Sequence, residues 1–422
     1  MGALKRFRVL ATSLVALLAV ACGSGGGGGD ETQAGPATLR FSWWGNAERA
    51  ELMQKAIDLF QSKNPDIKVT PSFQEFEAYW QKMATETAGG NAPDVLQMDF
   101  AYIREYADRN ALYDLKKQEG KNLELGDLLT GLKGAGEIEG KLYGVPTGGN
   151  TWGYIYSPAL FAQAGVEEPK KGWTWDDYRD AVKTIAEKTG VSGGGNYVGS
   201  YYNLELQLRQ EGKLLYTEDG GLGFDKARLK EFMQEGKDLA DAGTVLPIEK
   251  GVQIKPGHAL EQNLVAGDLG WDNFMARYAK GNPGLKLGPV PTDEAGTSGQ
   301  YLKPSMLLSV SQKSEHPAAA AKLVSFMVND PEVGRIFGAN RGLPPTNAQR
   351  AAAQLEGPLA AVAAYEDELK DEFGKTPPAP PKGAGTLEQA FIRITEELQY
   401  GRISVDEAVE QFFTEAEETL GS

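Results

Sequence analysis

The constraint that most narrows the fold is a change of hydrophobic period, repeated between Leu39 and Met98. Leu39, Phe41 and Trp43 alternate with Arg40, Ser42 and Trp44, the period of a strand. Leu52, Met53, Ala56, Ile57 and Phe60 then recur at three and four residues, the period of a helix, and Asn64-Pro65 stops it. Ile67, Val69 and Phe73 restore the strand period. Tyr79, Trp80, Met83, Ala84 and Thr87 form a second helical stripe closed by Gly89-Gly90, and Pro93 to Met98 supplies a third strand. This alternation predicts an α/β fold, a parallel sheet covered on both faces and wound by right-handed crossovers. Ligands of such sheets bind beyond the carboxyl ends of the strands. Here those ends are Trp43-Trp44-Gly45, Phe73-Gln74-Glu75 and Met98-Asp99-Phe100, so aromatics recur at all three and carboxylates at two.

The character changes after Leu142-Tyr143-Gly144-Val145-Pro146. Thr147 to Asn150 is a run of small residues suited to a hinge, and the strand-like Trp152, Tyr154 and Tyr156 open a second domain. Thr174 with Asp177 three residues on has the form of a capping box. Helices are expected near Lys226 to Ala240 and Leu260 to Val265, with a short strand at Leu269 and Trp271. Lys286 to Val290 and Ser305 to Val310 are extended and apolar, Pro317 to Val328 is helical, and these segments are expected to return to the first domain. The tail holds helices around Leu359 to Phe373 and Thr386 to Leu420, the second broken near Gly401, separated by the proline-rich Pro377 to Pro381.

The chain opens with Lys5, Arg6 and Arg8, an uncharged run from Val9 to Val20, and Ala21-Cys22. That run is shorter than the roughly 20 residues of a membrane-crossing helix, so residues 1–21 read as a signal peptide. Leu18-Ala19-Val20-Ala21-Cys22 resembles the lipobox of bacterial lipoproteins, in which the cysteine becomes lipidated. Cys22 is the only cysteine in the sequence. Residues 22–36, rich in glycine, read as a flexible tether that keeps a folded body near a membrane partner. Loss of residues 1–21 would move the formal net charge from −15 to −18, since the segment carries three basic and no acidic residues. So acidic a body disfavours nucleic acid.

Residues 37 to 420 resemble the carbohydrate-binding family of periplasmic-type binding proteins, the group that includes maltose-binding protein. The resemblance is carried by Leu39-Arg40-Phe41-Ser42-Trp43-Trp44-Gly45, Asn64-Pro65-Asp66-Ile67-Lys68-Val69 and Ala92-Pro93-Asp94-Val95. It continues in Trp152 to Phe161, Trp173-Thr174-Trp175-Asp176-Asp177-Tyr178 and Arg341-Gly342-Leu343-Pro344. It implies a two-lobed periplasmic-binding-protein fold, each lobe a mainly parallel sheet flanked by helices, with the ligand in a cleft between the lobes. The lobes would comprise 37–146 with 287–327, and 147–286 with 328–422. It also implies a carbohydrate ligand, delivery to the permease subunits of an ABC importer, a monomer touching the membrane only through its lipid anchor, and no cofactor. The Trp43-Trp44-Gly45 opening is similar to a subgroup that binds uronic-acid oligosaccharides. Asn46 and Arg49-Ala50 stand where that subgroup has a second glycine and an Arg-His pair.

A sugar presents C–H faces that lie against aromatic rings and hydroxyl rims that donate and accept hydrogen bonds. Stacking is assigned to Trp43, Trp44, Trp152 and Trp271, hydroxyl recognition to Glu75, Asp99, Asn150 and Arg341, and both to Tyr202. Each has a competing structural explanation. A tryptophan also fills cores, Glu75 and Asp99 also complement helix dipoles, and Arg341 is equally at home as a solvated loop charge. Of Trp43 and Trp44, the second is favoured as the ligand contact because the first shares a face with Phe41 and Leu39. A secreted glycoside hydrolase would use a carboxylate pair such as Glu75 and Asp99. A binder of polyol phosphates, amino acids or peptides is the other alternative. Metal chemistry has little support, since His258 and His316 are the only histidines.

Overall fold

The computed structural model describes residues 34–217, 219–255, 257–293 and 296–421. The signal peptide, Cys22 and most of the tether lie outside the described residues.

In chain order, β1 (Ala37–Trp44), α1 (Ala47–Lys63), β2 (Ile67–Gln74), α2 (Phe76–Ala88) and β3 (Val95–Met98) realise the opening alternation. Short elements lead to β4 (Val145–Asn150), and one residue, Thr151, separates it from β5 (Trp152–Tyr156). There follow α3 (Trp175–Thr189), β6 (Ser192–Gly194), α4 (Tyr201–Gln210), α5 (Lys226–Asp241), β7 (Val265–Trp271), β8 (Lys286–Gly288) and β9 (Lys303–Val310). The chain closes with α6 (Pro317–Asn329), α7 (Pro331–Phe337), α8 (Pro358–Leu369), α9 (Ala384–Gln399) and α10 (Val405–Leu420).

Two main sheets result, in the order β2-β1-β3-β9-β4 and β8-β5-β7-β6, beside a two-stranded ribbon of Glu137–Ile138 and Lys141–Leu142. Pro71 is tolerated in β2 because that strand is an edge, where a missing N–H breaks no ladder. Both sheets are mixed rather than mainly parallel. β2 and β3 run parallel to β1, while β9 is antiparallel to β3 and β4. In the second sheet only β6 pairs in parallel, with β7. The parallel pairs are those joined by helical crossovers. In the first sheet the antiparallel pairs belong to β9, which returns after an excursion through the second sheet.

Side-chain alternation places a core on each face of each sheet. Leu39, Phe41 and Trp43 pack against α1, α6 and α7, and Trp44 with Leu96 and Met98 packs against α2. In the second sheet Tyr154 and Tyr156 face α3 and α9, whereas Ile155 and Val265 face the opposite cluster. The capping box at α3 is present, Thr174 accepting from the Asp177 N–H at 3.2 Å and Asp177 accepting from the Thr174 N–H at 2.8 Å. A Cβ on Gly193 would sit 1.9 Å from the Val182 carbonyl, so only glycine lets β6 rest directly on α3.

Two expectations are corrected. Lys286–Gly288 does not return to the first sheet but pairs with β5 as an edge of the second, and Val265 begins a strand rather than ending a helix. In the second case the helical part is a single 3-10 turn, Ala259–Gln262, ended by Asn263 in the left-handed region.

Candidate ligand site

The carboxyl end of β3 and the amino-terminal turns of α4 approach one another across a cavity of about 240 Å³. The first sheet contributes Asp99, whose Oδ1 accepts from the Ala101 N–H at 2.8 Å. α4 contributes Tyr202 and Glu205, three residues apart and so on one helix face. Tyr301 and Lys303 enter at the start of β9, Glu388 from the first turns of α9, and Pro377, Pro378 and Pro380 form a strap over the space. The strap is seated on the first sheet's side, with Ala379 in the core beside Trp44 and Phe100, and Arg104 Nε donating to the Ala379 carbonyl at 3.1 Å.

Charge and aromatic surface meet here. Glu205 is buried and accepts from the Tyr301 hydroxyl at 2.9 Å. Burial raises its carboxyl above the ordinary range, opposed by Arg209, the Tyr301 bond and Lys303. Burial likewise raises Glu388, which accepts from the Tyr202 hydroxyl at 3.4 Å. The Lys303 ammonium stands 5.9 Å from the Tyr202 ring centre and 5.3 Å from that of Trp271. The hydroxyls of Tyr201 and Tyr216 are buried in the wall facing each other, with no further hydrogen-bond partner.

Of the residues singled out from sequence, Asp99 and Tyr202 line the cavity, and Trp271 and Trp152 stand immediately behind it. Trp271 lies 4.9 Å from Tyr202 and 4.8 Å from Trp152, edge to face in both pairs. Trp152 is buried, its Nε1 donating to Asn203 at 3.0 Å.

The remaining site residues are placed elsewhere. Trp43 is 1 % exposed, flanked by Phe41 and Phe73, and Trp44 is buried among Phe76, Tyr79 and Trp80, so both are core because β1 is covered on its two faces. Glu75 is exposed at the start of α2 and does not reach the cavity. Asn150 ends β4 with its Oδ1 buried and unpartnered. Arg341 is 3 % exposed rather than solvated, its guanidinium 3.8 Å from the Phe337 ring and donating to the Met327 carbonyl at 3.3 Å.

Sequence reading missed Glu205, Tyr301, Lys303 and Glu388. The signal that could have found the first is α4 itself. Asn203, Glu205, Gln207 and Gln210 are buried alongside its apolar residues, so no amphipathic stripe marks it.

The passage between sheets is tightly bonded. The Thr151 N–H donates to Asp272 Oδ2 at 3.1 Å, and the Thr151 hydroxyl donates to the Tyr301 carbonyl at 2.9 Å. Asp272 abuts Glu366 of α8, which pairs with Arg350. The two carboxyls are buried against each other and share a side-chain hydrogen bond, which requires that one of them keep its proton. Burial first, and then the neighbouring carboxylate, hold Asp272 well above the ordinary aspartate range.

Among the described residues no group of three or more His, Cys, Asp and Glu is arranged to hold a metal ion, and no helix is long and apolar enough to cross a membrane. His258 stacks on Tyr278 at 4.1 Å and faces Asp268, and His316 occupies the cap position of α6.

Two lobes enclosing a polar, aromatic cavity define a binding protein. Residues 44–333 match the model for bacterial extracellular solute-binding proteins, and the chain belongs to that family. Its role is that of the solute-binding component of an ABC transporter. A solved family 1 extracellular solute-binding protein from Alicyclobacillus acidocaldarius is 30% identical, with a TM-score of 0.76, covering 91% of this chain and 98% of that one. A periplasmic oligogalacturonide-binding protein from Yersinia enterocolitica has the same fold, with a TM-score of 0.78 at 22% identity over 91% and 99% of the two chains. An uncharacterized lipoprotein in the oleD 5' region of Streptomyces antibioticus is 28% identical, over 80% of this chain and 76% of its own.

Proposed function

We propose that the solute is a mono- or oligosaccharide, held in the cavity between the lobes and passed to the permease of an ABC importer. The observation that carries this reading is the combination of an aromatic wall, Tyr202 backed by Trp271, with carboxylates reaching in from both sides, Asp99 and Glu205. Rings take the C–H faces of a sugar and carboxylates its hydroxyls, and a site built to pair hydroxyls rejects ligands lacking them. The oligogalacturonide-binding neighbour gives the carbohydrate class further support.

Each lobe supplies part of the contacts, so the closed arrangement binds best and the ligand shifts the population toward it. The permease then reads the closed shape. No covalent step is required, and we assign no catalytic residue. We place the three chain crossings at Asn150–Thr151, Leu302–Lys303 and the Arg341–Leu343 loop, because these connect strands or cores of different sheets.

For export, residues 1–21 act as the signal, Cys22 is lipidated and residues 22–36 are the tether. The lipobox-like residues and the Streptomyces lipoprotein relative support this. A monomer anchored at the outer face of the cytoplasmic membrane is the expected form.

A thermal-shift screen against neutral, amino and acidic sugars tests the reading, since a ligand of the folded state raises its melting temperature. A dose-dependent rise with a sugar is expected. A rise with amino acids or peptides and with no sugar would transfer the site to another solute class.

A further inference from the structure

We infer that the cavity selects uncharged and amine-bearing sugars and rejects sugar acids and sugar phosphates. This rests on the carbohydrate reading above and narrows it. Among the described residues, three carboxylates, Asp99, Glu205 and Glu388, line the space against a single lining cation, Lys303. The other nearby cation, Arg209, is engaged in the wall. Its guanidinium lies 4.4 Å from the Tyr301 ring centre, Nε donates to the Gly299 carbonyl at 2.7 Å and Nη2 to the Lys375 carbonyl at 3.1 Å.

An anionic ligand entering this space meets like charge in a region shielded from water, where repulsion discriminates strongly. Lys303 does not reverse that balance, because Glu205 and Glu388 both interact with it. Arg341, the residue that would have suited a uronate, is sealed between Phe337 and the Met327 carbonyl and does not line the cavity.

Neutral hydroxyls and ammonium groups find matching partners. The hydroxyls of Tyr201 and Tyr216, paired with each other and with no further partner, keep donor or acceptor capacity that matches a sugar hydroxyl. The Tyr202 and Trp271 rings already carry an ammonium, that of Lys303, so this corner is electrostatically built for positive charge. Burial holds the Glu205 and Glu388 carboxyls above their ordinary range, and a donor or cation brought by the ligand relieves that cost.

The test is native mass spectrometry of the whole chain with one equimolar pool of di- to tetrasaccharides, comprising starch and arabinan fragments, deacetylated chitosan fragments and oligogalacturonides. Adducts of neutral or amino sugars are expected, with galacturonide adducts at least tenfold less populated. In Glu205→Gln/Glu388→Gln the galacturonide share should rise about tenfold. Glu388→Gln alone, at the less buried position, serves if the double variant does not fold, and should raise it several-fold. Dominant galacturonide binding by the unmodified chain overturns the inference while leaving the carbohydrate reading intact. Binding from an amino-acid and peptide pool with no sugar adduct overturns both.

Discussion

The ammonium of Lys303 lies 5.3 Å from the ring centre of Trp271, so the first residue of β9 stands over an aromatic face that belongs to the other sheet. One crossing strand thus contributes charge to the site and physically links the two lobes. Trp271 is partly buried, packed against the core and standing behind Tyr202, which lines the cavity. Trp271→Ala is expected to weaken sugar binding by roughly 10- to 100-fold, about 1.4–2.7 kcal/mol, by calorimetric titration with the sugar found in the screen. Unchanged affinity would make the ring a packing element only.

Trp43 should behave in the opposite way. It is 1 % exposed and stacked on Phe73, so Trp43→Ala empties core volume and should cost about 3–5 kcal/mol in urea unfolding. The folded fraction should keep its sugar affinity. A selective loss of affinity at unaltered stability would restore Trp43 to the site.

The Asp272 and Glu366 pair makes stability depend on pH. Because the folded Asp272 carboxyl is held well above its ordinary value, the unfolded chain ionises it first as pH rises. Its contribution to stability is full below an unfolded value of about 3.9 and is lost progressively as pH climbs toward the folded value. Asp272→Asn keeps an acceptor for the Thr151 N–H and offers Glu366 a donor. The melting temperature of the variant relative to the parent should therefore increase between pH 5 and pH 8. A difference that stays flat across that range would remove the shared-proton account.

Arg341 is a buried cation with no carboxylate partner among the described residues, and its Nε and Nη1 are unpartnered there. Burial, with Arg49 nearby, lowers its pKa to about 9, which leaves it charged at neutral pH. An apolar replacement of similar length removes a desolvated charge, so Arg341→Met should be neutral or stabilising by about 1 kcal/mol in denaturant unfolding, with ligand affinity unchanged. A loss of several kcal/mol would mean that the guanidinium has a partner, such as ordered water, that its protein neighbours do not supply.

Local signals were legible from the sequence wherever one segment carried them whole. The period changes from Leu39 to Met98 placed β1, α1, β2, α2 and β3, and the capping box located the start of α3. Strand-end logic reached Asp99, and the resemblance to carbohydrate-binding proteins reached Trp271. Glu205, Lys303 and Glu388 escaped because they lie on segments far apart in the chain, and only the sheet topology brings them to one cavity. Trp43 and Trp44 misled because a strand covered on both faces buries both members of an adjacent pair, which alternation alone does not reveal. Arg341 misled because its glycine- and proline-rich surroundings suggested a loop in water, whereas that loop lies folded between two cores.

The proline strap has a mechanical consequence. It leaves α8 and returns into α9, yet Ala379 at its middle is embedded beside Trp44, and Thr376 donates to the Leu302 carbonyl at 3.1 Å. Proline-rich backbone is stiff and extends only about 3.1 Å per residue. The strap is therefore a leash of fixed length: the lobes can part only as far as it reaches, unless Ala379 is pulled from its seat, and the widest aperture offered to an arriving sugar is set by a segment that belongs to neither sheet.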